Sequence, residues 1–259
     1  MRKGGEGHER PLALVTGGHR RLGARIALSL GRAGYRLALH GSHDVALDPE
    51  LEGIVADLDA DWCGFIADFE EPEAAIGLIA DVTRHFGRPP DLLVNNAAIF
   101  GQDRLDDVTA ATLMDHYAIN CAAPVLLTRG FADMAGGGAN RSIVNILDQR
   151  LANPHGDQLS YTLSKQALAA LTQISARELA PRGIRVNAVA PGLTIAVDGD
   201  QQEQSVRLGA IMPLGHLPDP GDVAEAVCYL ARAESVTGQV IAVDGGAHMR
   251  SYARDFLYL

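Results

Sequence analysis

Tyr161 and Lys165 stand four residues apart in YTLSK, so on a helix they share one face. A free tyrosine titrates near pH ~10 and is a poor acid or base at neutral pH. An ammonium beside it favours the phenolate and brings proton transfer within reach. By itself such a pair is an ordinary surface contact. A second set of residues comes early in the chain, where a short apolar run leads into Thr16-Gly17-Gly18-His19-Arg20-Arg21-Leu22-Gly23. Gly17 allows a sharp backbone turn and Gly23 a close approach of helix to strand. The free N–H groups of the following helix would attract a pyrophosphate. Strand, glycines and helix in that order point to a nucleotide phosphate more than to a turn alone. A third candidate, Asp148, closes the apolar run Asn145-Ile146-Leu147 upstream of Tyr161. An ionised carboxylate there would raise the tyrosine pKa, whereas a protonated one could supply a proton of its own. Asp148 could also simply cap the next turn.

These groups need a scaffold that brings distant segments to one place. Short apolar runs at Pro11–Thr16, Tyr35–His40, Gly64–Ala67, Leu92–Val94, Ser142–Leu147, Ile184–Val189 and Val240–Val243 read as strands. Helical patterns over Leu22–Leu30, Glu73–Phe86, Ala110–Met134, Tyr161–Leu179 and Asp222–Ala231 separate them. Strands apolar on both faces and alternating with helices predict an α/β fold: a doubly wound parallel sheet with helices on both faces. Ligands of such sheets bind at the carboxyl ends of the strands. The expected organisation is a flexible leader over 1–10, one domain over 11–250 and an aromatic tail over 251–259. Gly136-Gly137-Gly138 is too short to be a linker between domains.

The chain has 259 residues, with 22 Lys+Arg against 32 Asp+Glu, a formal net charge of −10. An acidic protein without a basic stripe is a poor candidate for general nucleic-acid binding, although Arg20, Arg21 and Arg25 can still attract an anion locally. No apolar stretch approaches the ~18 residues of a membrane span, and the start carries no secretory h-region. Cys63, Cys121 and Cys228 are scattered and odd in number, which argues against a disulfide framework and for a reducing, cytoplasmic setting. Nine histidines form no HExxH or Cys/His cluster, so no metal is expected.

Taken in order, TGGHRRLG, Asn95-Asn96-Ala97, Tyr161-Thr162-Leu163-Ser164-Lys165, Pro191-Gly192-Leu193-Thr194 and the closing TGQVIAVDGG resemble the short-chain dehydrogenase/reductase superfamily over nearly the whole chain. The resemblance implies a Rossmann-type fold, a nicotinamide dinucleotide and a homotetramer built partly on the Tyr161 helix. Arg21 stands where the family usually has glycine. Asp148 stands where it usually has a serine that orients the substrate carbonyl. Both departures resemble pteridine reductases and dihydromonapterin reductases.

On this likeness Gly17, Arg20, Arg21, Leu22 and Gly23 hold the cofactor phosphates. The second strand ends without the acid that NAD enzymes of this architecture use. Arg20, His40, Ser42 and His43 offer donors to a 2′-phosphate instead, which favours NADPH, with Asp44 the residue that argues the other way. Asp68 and Phe69 hold the adenine. Asn96, Ala97 and Ala98 line the ribose, and Pro191, Gly192 and Thr194 close over the nicotinamide. Tyr161, Lys165, Asp148 and Asn120 form the catalytic set, with Lys165 also on the nicotinamide ribose. Arg21, Phe100, Asp148 and Tyr161 frame the substrate. Ala98 replaces a serine that touches the pterin in those reductases, and Ile195–Leu217, the expected substrate lid, matches least. The function expected is NADPH-dependent reduction of a C=N bond in a dihydropterin-like heterocycle. The rivals are a reductase of another small carbonyl and a nucleotide-sensing protein that has lost turnover.

Overall fold

Strand β1 (Leu12–Thr16) sends Ala13 and Val15 to one face and Leu12 and Leu14 to the other, and all four are fully buried. A strand apolar on both sides is stable only when both faces are covered, as in a parallel sheet between helical layers. The computed structural model, which describes residues 10–57, 61–134, 140–194 and 201–258, has that arrangement. Its strands β1, β2 (Arg36–Gly41), β3 (Trp62–Ile66), β4 (Leu92–Asn95), β5 (Arg141–Ile146), β6 (Ile184–Pro191) and β7 (Val240–Val243) are all parallel, in the order β3-β2-β1-β4-β5-β6-β7. All seven runs read from the sequence are strands, with ends in place or moved by at most two residues.

One face packs against α1 (Arg21–Arg32) and the helix Pro220–Arg232 through Ile26, Leu30, Val223 and Val227. The other packs against α3 (Pro72–Phe86), α5 (Ala123–Met134) and α6 (Leu159–Leu179) through Leu78, Val82, Leu127, Phe131, Ala176 and Leu179. Strand order reverses between β1 and β4, which opens a crevice at their carboxyl ends.

The observed elements differ from the expected ones in four places. The single helix anticipated over Ala110–Met134 is α4 (Ala110–Tyr117), a five-residue π-helix (Ala118–Ala122) and α5. Helix α2 (Pro49–Asp57) escaped detection because it is short, with Gly53 inside it. Helix α7 (Gln201–Ile211) did so because it is mostly polar and its inward contacts come from its last turn, through Leu208. The helix that follows, Pro220–Arg232, is α8. The carboxyl-terminal tail is no appendage: Asp255 is 4% exposed, and Phe256 packs with Leu208, Met212 and Ala247. Residues 1–9 of the expected leader, the Gly136–Gly138 stretch and residues 195–200 of the expected lid lie outside the described residues. Among the described residues no helix is long and apolar enough to cross a membrane, and no group of three or more His, Cys, Asp or Glu could hold a metal ion.

Candidate active site

The strand ends around the switch point enclose one cleft of about 800 Å³. It is lined by every site residue anticipated from the sequence except Asn120. At its β1 end, Gly17 takes a φ of +59°, a left-handed conformation that glycine adopts without strain. A Cβ on Gly23 would run into the Gly17 carbonyl oxygen, so the turn and the start of α1 touch backbone to backbone. Asn96 braces the same turn: its Nδ2 donates to Thr16 O at 2.8 Å and Gly17 O at 3.1 Å. Thr16 Oγ1 accepts the N–H groups of Asn96 and Ala97, both at 2.9 Å. Helix α1 starts without a capping side chain and without an acid in its first turn, which leaves its N–H groups for an anion. Arg21 at its threshold is a non-glycine residue with a φ of +51°, at a cost of about 1 kcal/mol.

His40, anticipated as a further donor to a 2′-phosphate, lines the cleft with its ring nitrogens turned inward. It is 2% exposed, and both ring nitrogens are used inside the protein. Nδ1 accepts the Gly17 N–H at 3.2 Å, so the proton sits on Nε2, which donates to Ala67 O at 2.8 Å. Phe69 stacks on the ring, centroids 4.2 Å apart and planes 9° from parallel. Burial holds the imidazole pKa down to about 4, so it stays neutral. His40 thus ties the glycine turn to the ends of β2 and β3, and the donors left for a 2′-phosphate are Arg20, Ser42 and His43. Asp44 does not line the cleft: its Oδ1 accepts the Ala46 N–H at 3.2 Å and lies 3.7 Å from His19 Nε2. Asp68 accepts the Glu70 N–H at 3.1 Å and keeps a face on the cleft, while α3 starts later, at Pro72. A cleft with a left-handed glycine, an open helix N-terminus, two arginines and a lining that leaves out Asp44 after β2 fits a phosphorylated dinucleotide.

The other end is built from side chains. Tyr161 and Lys165 lie on one face of α6, 7% and 2% exposed. The Tyr161 hydroxyl donates to Asp148 Oδ2 at 3.1 Å, and Lys165 Nζ donates to Ile146 O at 2.8 Å. Burial, then the Asp148 charge, pushes the tyrosine pKa well above its ordinary value. Burial lowers Lys165 to about 8 against the opposing pull of Asp148. Among the protein's own groups, desolvation and the carboxylate therefore decide the direction of the tyrosine shift.

Asp148 Oδ1 accepts the Arg150 backbone N–H at 2.9 Å and Nε–H at 3.1 Å. Asp148 thus takes part in three hydrogen bonds, one with Tyr161 and two with Arg150. Phe100 is half exposed and meets the Tyr161 ring edge to face, centroids 4.9 Å apart. Asn120 lies behind the cleft in the π-helix, fully buried. Its Oδ1 accepts the Ile99 N–H at 2.9 Å, and its Nδ2 donates to Ile99 O and Ser164 Oγ, both at 3.0 Å. The side chain is thereby spent on holding the Ala97–Phe100 stretch against α6, at a helix irregularity of the kind found at functional sites.

Sequence reasoning missed Arg150 and Asp255. Arg150 is 5% exposed and its guanidinium lies 5.2 Å from the Tyr161 ring centroid and 5.6 Å from that of Phe100. Its Nη2 donates to Asp255 Oδ2 at 2.9 Å and its Nη1 to Gln158 Oε1 at 2.6 Å. The local signal was the opposite charges of Asp148-Gln149-Arg150 at a strand end. Nothing local marks Asp255, which lies 105 residues away.

A family model described as enoyl-(acyl carrier protein) reductase matches residues 18–248. A (3R)-3-hydroxyacyl-CoA dehydrogenase of Mus musculus is 31% identical over 92% of this chain and 96% of its own. A 3-oxoacyl-[acyl-carrier-protein] reductase FabG of Staphylococcus aureus is 32% identical over 92% and 98%. The crystal structure of FolM alternative dihydrofolate reductase 1 from Brucella canis, complexed with NADP, superimposes with a TM-score of 0.84 at 34% identity, covering 95% of this chain and 96% of that one. With a seven-stranded parallel sheet, the glycine turn and the Tyr161–Lys165 pair in one cleft, the chain belongs to the short-chain dehydrogenase/reductase superfamily.

Proposed function

We propose that this chain reduces a C=N bond of a dihydropterin-like heterocycle, with NADPH as the source of hydride. The coarser part stands on the family: it is an NADP(H)-dependent oxidoreductase of the superfamily. The substrate is our reading, and the observation that carries it is the contact of Tyr161 with Asp148, a carboxylate acceptor where the family places a hydroxyl donor. Such an acceptor repels a bare carbonyl oxygen and suits a ring edge rich in N–H groups. Phe100 adds a flat apolar face. The FolM structures of Brucella, at 34% identity, support the same class.

When bound, the reduced nicotinamide supplies the hydride. Gly17, the α1 N-terminus and Arg21 hold the phosphates, Arg20, Ser42 and His43 the 2′-phosphate, and Asp68 with Phe69 the adenine. Asn96 to Ala98 line the ribose, Lys165 holds the nicotinamide ribose, and Pro191, Gly192 and Thr194 cover the nicotinamide. Hydride addition at carbon leaves the electron pair of the double bond on nitrogen, which then takes one proton. Tyr161 holds that proton, because its raised pKa keeps the hydroxyl intact until the nitrogen becomes strongly basic. Arg150 and Lys165 offset the negative charge left beside Asp148.

A second reading, reduction of a ketone or 3-oxoacyl group, is favoured by the FabG and hydroxyacyl-CoA dehydrogenase relatives. NADPH oxidation measured with dihydropterins, dihydrofolate, simple ketones and a 3-oxoacyl thioester separates the two. Pterin turnover should dominate, Asp148→Ser should lower it by about 10- to 100-fold, and NADPH should be preferred to NADH. Unchanged pterin kinetics in Asp148→Ser remove the substrate assignment. We also propose a cytoplasmic homotetramer that covers the exposed Met114, Val125, Leu163 and Ile174 on α4, α5 and α6, to be read by light scattering.

A further inference from the structure

We propose that Arg150, gripped by Asp255 of the carboxyl-terminal tail, is a positioning residue that holds Asp148 in place as the acceptor of the Tyr161 hydroxyl, so that the tail sets the rate of proton delivery. The inference rests on Tyr161 as proton donor and is independent of which substrate takes the proton.

The geometry is that of a clamp. A guanidinium is a rigid planar fork, and here each of its nitrogens has its own side-chain partner: Nε donates to Asp148, Nη1 to Gln158 and Nη2 to Asp255. With Nη1 and Nη2 fixed, the Nε–H can aim only at Asp148 Oδ1, which leaves Oδ2 turned to Tyr161. The partners come from three parts of the chain: the turn after β5, the start of α6 and the tail. Gln158 is fully buried at a φ of +51°, a strained conformation, and its Nε2 donates to Gln102 Oε1 at 2.7 Å.

The tail is held independently of Arg150. Asp157 Oδ2 accepts the Asp255 N–H at 3.0 Å, Asp157 also pairs with Arg104 and Arg254, and the Tyr258 hydroxyl donates to Gln102 at 3.0 Å. A buried guanidinium shared by two carboxylates redistributes if one is neutralised. Without the Asp255 charge, Arg150 would pair more closely with Asp148 and draw it from the tyrosine, whose hydroxyl would lose the contact that fixes its place in the cleft before it turns to give up its one proton.

The test compares Asp255→Asn, which keeps shape but loses charge, with Asp255→Glu, which restores charge. Asp255→Asn should lower kcat by about tenfold, with NADPH affinity within about twofold of wild type and a larger solvent isotope effect on kcat. Asp255→Glu should recover most of the rate. Arg150→Ala should be rescued in kcat by millimolar guanidinium and not by methylammonium, which provides a second measurement should the Asp255 variants fold poorly. Wild-type kcat in Asp255→Asn, or equal losses of rate and NADPH affinity without guanidinium rescue, would overturn the proposal. If wild type turns over ketones and not pterins, the substrate reading falls, and the same comparison is run on the ketone.

Discussion

At the β1 end of the cleft the working groups are main-chain N–H dipoles, a left-handed glycine and a neutral imidazole. At the β5 end they are a phenol, an ammonium, a guanidinium and two carboxylates, nearly all buried. The first end is made by neighbouring strands in register: the Gly17 N–H meets His40 on β2, and His40 meets Ala67 after β3. The second draws on β5, α6 and a tail far from both in sequence. Backbone dipoles hold an anion without changing charge, whereas a proton must come from groups whose charge can change. The difference suggests that the first end provides affinity and the second provides rate.

Two substitutions can break that division. Tyr161→Phe removes the proton donor and leaves the phosphate site untouched. It should lower kcat by about a thousandfold with NADPH affinity within about twofold of wild type, read by steady-state kinetics and fluorescence titration. Gly23→Ala drives a methyl group into the Gly17 carbonyl and spreads the turn. It should raise the NADPH Kd by about a hundredfold, or roughly 2.7 kcal/mol, with the residual kcat at saturation largely kept. If Gly23→Ala lost rate with affinity intact, the two ends would not divide their work in this way.

The same contrast explains what could be read from the chain. The glycine turn, the strand ends and the Tyr161–Lys165 spacing depend on local periodicity and on residues within one or two turns, so the sequence displays them directly. His40 was visible as a residue but not in its role, because its two partners are main-chain groups just past the ends of other strands, which spacing does not encode. Arg150 and Asp255 could not be paired, since a contact between residues 105 apart exists only once the tail has folded onto the site. The π-helix has the same character: Ala110–Met134 looks like one helix until Asn120 is pulled toward Ile99.

Lys165 supplies a pH test of the rate end. Burial lowers its pKa to about 8, while the tyrosine lies well above its ordinary value and stays protonated throughout the working range. The alkaline fall of kcat/KM should therefore belong to the lysine, beginning near pH 8 with a loss of about tenfold per pH unit. A limb that begins near the ordinary lysine value would mean that Lys165 is well solvated and that burial does not govern this end.

His40 tests the affinity end through stability, with an effect on turnover of less than about threefold expected. Its pKa is lowered from 6.5 to about 4, so the unfolded chain takes up a proton that the folded protein refuses. Its contribution is fully present above pH 6.5 and is lost as pH falls toward 4, by at most about 1.4 kcal/mol per pH unit. Glutamine can accept from the Gly17 N–H and donate to Ala67 O without titrating. His40→Gln should therefore stay within about 1 kcal/mol of wild type at pH 7.5 and show a shallower loss of stability between pH 6.5 and 4.5 in urea melts. Parallel slopes in the two proteins would mean that the imidazole can protonate in place. The glycine turn would then hang on a group that changes charge, as the β5 end does.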